Sequence, residues 1–219
     1  MARARTSPAP PRVSAPDLPS VLGEGEVPTA GADAHEVRWT GSAGVIDAPR
    51  ATIEACAFDE IAADELVLTD ATLLDVAVRG ARVPAVRARG TRWRRVLVEG
   101  GRIGTLDLSD AELDEVELRG IRIDYLSLAG ARVDDLVIAD CTIGALDLPA
   151  ARLARVAFAS SRADEVDTRG LRSTDLDLRG LDALAYLDVT SLRDATMSGD
   201  QVERIAPTLA AGLGIRIQD

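Results

Sequence analysis

At 219 residues with a formal net charge of −11, the chain suits one domain with a sizeable core, and its acidity argues against non-specific binding to nucleic acid. All 25 basic residues are Arg, Lys and Asn are absent, and only 3% of residues are aromatic, so stacked aliphatics have to fill the interior. Two cysteines make no disulfide framework, and no apolar run approaches the ~20 residues of a membrane span, so a soluble cytoplasmic protein with no membrane contact is the expectation.

The chain opens on "MARARTSPAPPRVSAPD" (residues 1–17), rich in Pro, Ala and Ser and poor in large apolar groups, a composition that predicts a disordered leader. Its arginines are followed by no apolar h-region, so a signal peptide is not expected. Residues 18–50 are expected to form an irregular N-terminal cap. Within it "EVRWTG" (36–41) alternates Val37 with Trp39, an irregular first strand in which the Trp covers the open end of a core. The single histidine, His35, lies here and reads as a surface residue.

From residue 51 the chain falls into tens: "ATIEACAFDE", "IAADELVLTD", "ATLLDVAVRG" and onward to "LRSTDLDLRG" at 171–180. Positions six and eight are apolar throughout these blocks except at Thr168, and position three is apolar except at Ser173. Position one is mostly small, as at Ala51, Ala71, Ala111 and Cys141. Residues two apart face one way on an extended segment, and the next inward pair comes five residues later, so the chain has to turn a corner in between. Gly at position ten (Gly80, Gly90, Gly100, Gly120, Gly130, Gly170, Gly180), or Asp at 70, 110 and 140, supplies residues that tolerate positive φ at such corners. Cys56 and Cys141 fall at inward positions, where Cys behaves as a small hydrophobe.

Units such as "AELDE" (111–115), "ARVDD" (131–135) and "ATLLD" (71–75) resemble the pentapeptide-repeat family, of an actinobacterial type with a GC-rich host. The resemblance covers about two-thirds of the chain and implies an all-β solenoid. In that fold four five-residue sides close a right-handed quadrilateral β-helix with laps of twenty residues. Residues 51–190 then make about seven coils, a rod of roughly 34 Å at ~4.8 Å per rung. Alternate units depart from the family pattern by carrying Val or Leu where small residues are usual, as in "VELRG" (116–120) and "LDLPA" (146–150). These bulkier residues imply an opened or unequal cross-section.

If residues twenty apart stack, one face carries Arg92, Arg94 and Arg95 beside Glu112, Asp114 and Glu115, followed by Arg132 with Asp134 and Asp135. Arg152 and Arg155 come next, then Arg172 with Asp175. The alternating signs read as ion pairing that keeps a solvated face from repelling itself; the alternative is a recognition stripe for a partner. The tail 191–219 is expected to cap the last lap. Ser198 and Gln201 fit a capping box, Pro207 is expected to split the helix into two short pieces, Gly212 or Gly214 stops it, and "IRI" (215–217) adds a short strand. The family resemblance offers a second use for this end, a homodimer through the C-terminal segment in place of a monomer.

Catalytic and metal-binding patterns are not found in the sequence. There is no Cys/His cluster at metal-ligand spacing and no phosphate-binding loop, and the paired acids sit on a convex rod without a cleft to tune them. No enzyme activity, cofactor or metal is expected. The leading function is a rigid interaction scaffold that binds another protein. The alternative implied by the resemblance is an acidic DNA mimic that binds DNA gyrase and protects it from fluoroquinolones. Against the mimic stands "ARVPAVRARGTRWRRVLVEGGR" (81–102), with seven Arg and one acid. Direct nucleic-acid binding by that belt is disfavoured, because its one aromatic, Trp93, falls at an inward position.

Overall fold

In the computed structural model, which describes residues 7–217, the ten-residue pattern is half of a twenty-residue lap. The strands begin with β1 (Gly23–Glu24), β2 (Asp33–His35) and β3 (Val37–Asp47). Three strands of sixteen residues follow, β4 (Thr52–Val67), β5 (Thr72–Arg87) and β6 (Arg92–Asp107). Beyond them the laps break into shorter pieces: β7 (Glu112–Arg119), β8 (Arg122–Ser127), β9 (Arg132–Ala139) and β10 (Thr142–Asp147). The last are β11 (Arg152–Ala159), β12 (Ser161–Asp167), β13 (Arg172–Asp177) and β14 (Leu181–Tyr186). All belong to one parallel sheet, and from β4 onward each pairing is offset by twenty residues. Leu73 thus faces Trp93, Trp93 faces Leu113, and Leu113 faces Val133. In the other half of the lap Leu126 faces Leu146, which faces Val166.

The regular winding starts earlier than the sequence pattern implied. Ser42 to Asp47 pair with Ala62 to Val67 at the same offset of twenty, after a bulge between Thr40 and Ser42, and this brings the solenoid to about eight turns in place of seven. The block "GSAGVIDAPR" (41–50) keeps Ile46 and Ala48 at positions six and eight, both buried, but its polar front hides the repeat. Trp39 is buried against Phe58 at 4.5 Å between ring centroids, and its Nε1 donates to the Glu26 carbonyl at 2.7 Å.

Within each lap the corner after position five is left-handed at every rung from Ala55 to Asp175, by way of Asp75, Arg95, Glu115, Asp135 and Arg155. Corners at ten and twenty are also left-handed, many of them at the glycines expected, whereas those at 65, 85, 105, 125, 145 and 165 are not. Gly180 departs from the expectation. It does not have positive φ, and it is there for space, since a Cβ would stand 2.1 Å from the Phe158 carbonyl oxygen. We call the sides first to fourth, the first being residues such as 91–95.

At the far end the chain returns to the last lap. Thr196 bridges Asp177, and α1 (Gly199–Gly212) packs over the opening. The capping box is present: Ser198 Oγ accepts from Gln201 N at 3.2 Å, and Gln201 Oε1 accepts from Ser198 N at 2.7 Å. Gln201 Nε2 also donates to the Leu178 and Leu181 carbonyls at 2.7 Å each, which fastens the helix to the open backbone edge of the last rung. Two expectations are corrected here. Pro207 lies inside one continuous helix, because a single missing donor strands only the carbonyl at exposed Glu203, which water can satisfy. Residues 215–217 form no strand; Ile215 and Ile217 are exposed with no edge beside them to pair.

The described part of the leader, from residue 7, lies along the rod, with backbone N–H groups of Ala9, Arg12 and Asp17 bonded to Asp175, Asp135 and Asp75. A sequence so rich in Pro is already extended, so little further ordering is needed once the rod supplies acceptors. Residues 1–6 of the expected disordered segment lie outside the described residues.

Candidate functional site: the charged first face

The first face is flat because its strands stack in register, which places outward residues at positions two and four in columns. Arg92, Arg94, Glu112, Asp114 and Asp134 line one shallow depression on it, together with Arg132, Leu74 and Arg155. The pairs run vertically between rungs: Arg92 Nε lies 3.4 Å from Glu112 Oε2, and Arg94 Nε lies 3.6 Å from Asp114 Oδ2. Burial pushes the Asp114 carboxyl above its ordinary range, and nearby Glu115, Asp135 and Asp134 push the same way against Arg94.

The other three predicted residues, Arg95, Glu115 and Asp135, sit on the left-handed corner column and not in the depression. Arg95 turns down one rung and forks onto Asp75, with Nε to Oδ1 at 2.6 Å and Nη2 to Oδ2 at 2.5 Å. Arg155 repeats that geometry on Asp135 at 2.7 Å for each contact. The guanidinium in each case holds its Asp below the usual carboxylate range. Both carboxylates are nearly buried, so these two forks are structural pairs of the stronger kind.

Sign alternation does not extend along the whole face. At position two, Arg132, Arg152 and Arg172 stand on three consecutive rungs. All three are exposed, and among the described residues none forms an ion pair within 4.0 Å. They line a second shallow depression with Asp134, Ala154 and Thr174. The matching ladder on the third face, Arg82, Arg102 and Arg122, is neutralised: Arg82 pairs with Glu60 at 3.6 Å, and Asp124 takes Arg102 at 2.9 Å and Arg122 at 3.6 Å. The sequence contained this contrast, since spacing of twenty lines up 132, 152 and 172, but the reading by whole rungs averaged it away.

Among the described residues no group of three or more His, Cys, Asp or Glu is placed to hold a metal ion, and no helix is long and apolar enough to cross a membrane. Trp93 points inward and is buried. At the C-terminal end, by contrast, Leu184, Leu187, Val202, Leu213, Ile215 and Ile217 are exposed.

No protein-family model matches the chain, and no curated protein matches it. Among solved structures it is similar to a trypsin-treated form of QnrB1, a plasmid-mediated fluoroquinolone resistance protein, at 14% identity over 89% of this chain and 95% of that one, with a TM-score of 0.31. It is also similar to HetL, a pentapeptide repeat protein involved in heterocyst differentiation regulation from the cyanobacterium Nostoc sp. strain PCC 7120. That match has 16% identity over 78% of this chain and 89% of that one, with a TM-score of 0.33.

Proposed function

We propose that the chain is a non-enzymatic, rigid interaction scaffold that binds another protein through its first face. The observation that carries this reading is the Arg132–Arg152–Arg172 ladder, exposed and without carboxylate partners among the described residues. Like charges one rung apart repel by about 1 kcal/mol per neighbouring pair in water. An acidic segment of a partner relieves that cost, and carboxylates on an extended strand come at spacings the ladder can meet. The adjoining pairs Arg92–Glu112 and Arg94–Asp114 form a rim that sets register. The test is affinity capture from the native host with the full chain and with an Arg132→Glu/Arg152→Glu/Arg172→Glu variant of unchanged melting temperature. A protein retained by the wild type and lost by the variant supports the proposal; equal retention, or none by either, overturns it.

The gyrase reading ranks second. In its favour is the charge of −11; against it, the belt at 81–102 breaks the anionic surface a DNA mimic needs. Unimpaired gyrase supercoiling at micromolar protein would remove it. The C-terminal end is proposed as a cap on a monomer, with the exposed Leu213, Ile215 and Ile217 as the contact if a homodimer forms. Light scattering on the wild type and a Leu213→Asp variant separates the two.

A further inference from the structure

The N-terminal leader follows the rod axis without joining the sheet. Asp17 N donates to Asp75 Oδ1 at 2.9 Å, Arg12 N to Asp135 Oδ1 at 2.8 Å, and Ala9 N to Asp175 Oδ1 at 3.0 Å. From Asp17 to Ala9 is eight residues, about 25 Å in a polyproline helix at 3.1 Å per residue. From Asp75 to Asp175 is five laps, about 24 Å at 4.8 Å per rung. The leader and the column therefore match in length, eight peptide residues to five rungs, taken as five to three and then three to two. Two of the three acceptors are built alike, an Asp in a left-handed corner clamped by an Arg one lap on, its Oδ1 accepting the peptide N–H as well as the Arg Nε–H. The leader rests on the rod through Pro8, Pro11, Pro16 and Pro19, all partly buried, while Pro10, Arg12 and Ser14 face solvent. Beside the corner column, Ala77 and Ala139 alternate away from the core on the second face, and both are nonetheless buried.

We infer that this corner column is a binding track for an extended, proline-rich peptide, recognised through its backbone N–H groups, and that the leader is its built-in occupant. Carboxylates that read main-chain donors set no demand on side chains, so what the track selects is the polyproline conformation and the spacing of donors among prolines. The track differs from the first-face ladder, and the inference does not depend on what that ladder binds. Held in cis, the leader excludes a competing segment; released, it uncovers Asp75, Asp135 and Asp175 at a spacing only such a segment can meet.

Two measurements on the full chain test this. In the wild type, amide hydrogen exchange is expected to be at least tenfold slower at Ala9, Arg12 and Asp17 than at Val13, Ser14 and Ala15; uniform exchange at free-peptide rates overturns the inference. In an Ala9→Pro/Arg12→Pro/Asp17→Pro variant the leader keeps its extended form and loses all three donors. A fluorescent synthetic peptide of residues 7–19 is expected to bind this variant at least tenfold more tightly than it binds the wild type, whose track is filled. Its affinity is expected to fall back when Asp75→Asn and Asp135→Asn are added. Equal binding to variant and wild type, or equal binding by a peptide carrying the same three prolines, overturns it.

Discussion

Replacing Arg155 with Met removes the guanidinium that forks onto Asp135 and leaves a nearly buried carboxylate with the Arg12 N–H as its remaining donor in the leader. Breaking a fully buried pair costs about 3–5 kcal/mol. The Arg155 side chain is 27% exposed and its Asp 9%, so water recovers part of that loss, and we expect about 1–3 kcal/mol at pH 7. For a domain of this size that is a fall in melting temperature of roughly 3–10 °C. The sign with pH follows from the carboxyl. Arg155 holds Asp135 below its ordinary value of 3.8 in the folded state, so its stabilisation is present above that value and is lost as pH falls through the lower folded value. The gap between wild type and Arg155→Met is therefore expected to narrow from pH 7 toward pH 3 in thermal unfolding followed by circular dichroism. Adding Asp135→Asn removes the stranded charge, and the double variant is expected to recover at least about 1 kcal/mol relative to the sum of the singles. A gap that stays constant with pH, together with strict additivity, would refute the reasoning.

Four further substitutions probe the lap. Leu126→Ala hollows a column in which Leu126 is wholly buried between Leu106 and Leu146, and urea unfolding is expected to register a loss of about 3–5 kcal/mol; under about 1.5 would mean the column collapses to fill the gap. Gly101→Ala meets both a φ of +89° and a Cβ position 2.2 Å from the Ala81 carbonyl oxygen, so it is expected to cost more than about 2 kcal/mol. Gly120→Ala has positive φ but open space and is expected to cost about half as much, so comparable losses by thermal unfolding would contradict the role of contact. Ser173 is the polar exception in the inward column and its Oγ is buried without a hydrogen-bond partner among the described residues, so Ser173→Ala is expected to gain about 1 kcal/mol, read as a rise in the urea midpoint.

The core was legible because burial repeats with a strict phase: every inward position from Ile53 to Leu178 could be placed by counting. The lap of twenty was not in that count, since both halves of a lap carry the same apolar signature; closure and the family resemblance supplied it, and the Leu126–Leu146 register fixes it. Corners at position ten showed themselves through glycine. Those at position five did not, because Ala55, Asp75, Arg95 and Glu115 share no chemistry that announces positive φ. Of the charged residues, those at positions two and four line one depression, whereas Arg95 and Asp135 belong to the corner forks. The leader was the least readable element. Its donors are main-chain groups that leave no mark on composition, and its acceptors lie 58 to 166 residues away in sequence.

The leader's prolines also govern where it can lie. Sliding it by one residue so that Pro8, Pro11 and Pro16 meet the three carboxylates would present no hydrogen to any of them, since each lacks an N–H. Sliding the other way brings Pro10 to Asp175 and loses one contact of three. A segment whose side chains make so few demands is thus indexed by its imino acids, one slip costing every contact and the other costing one.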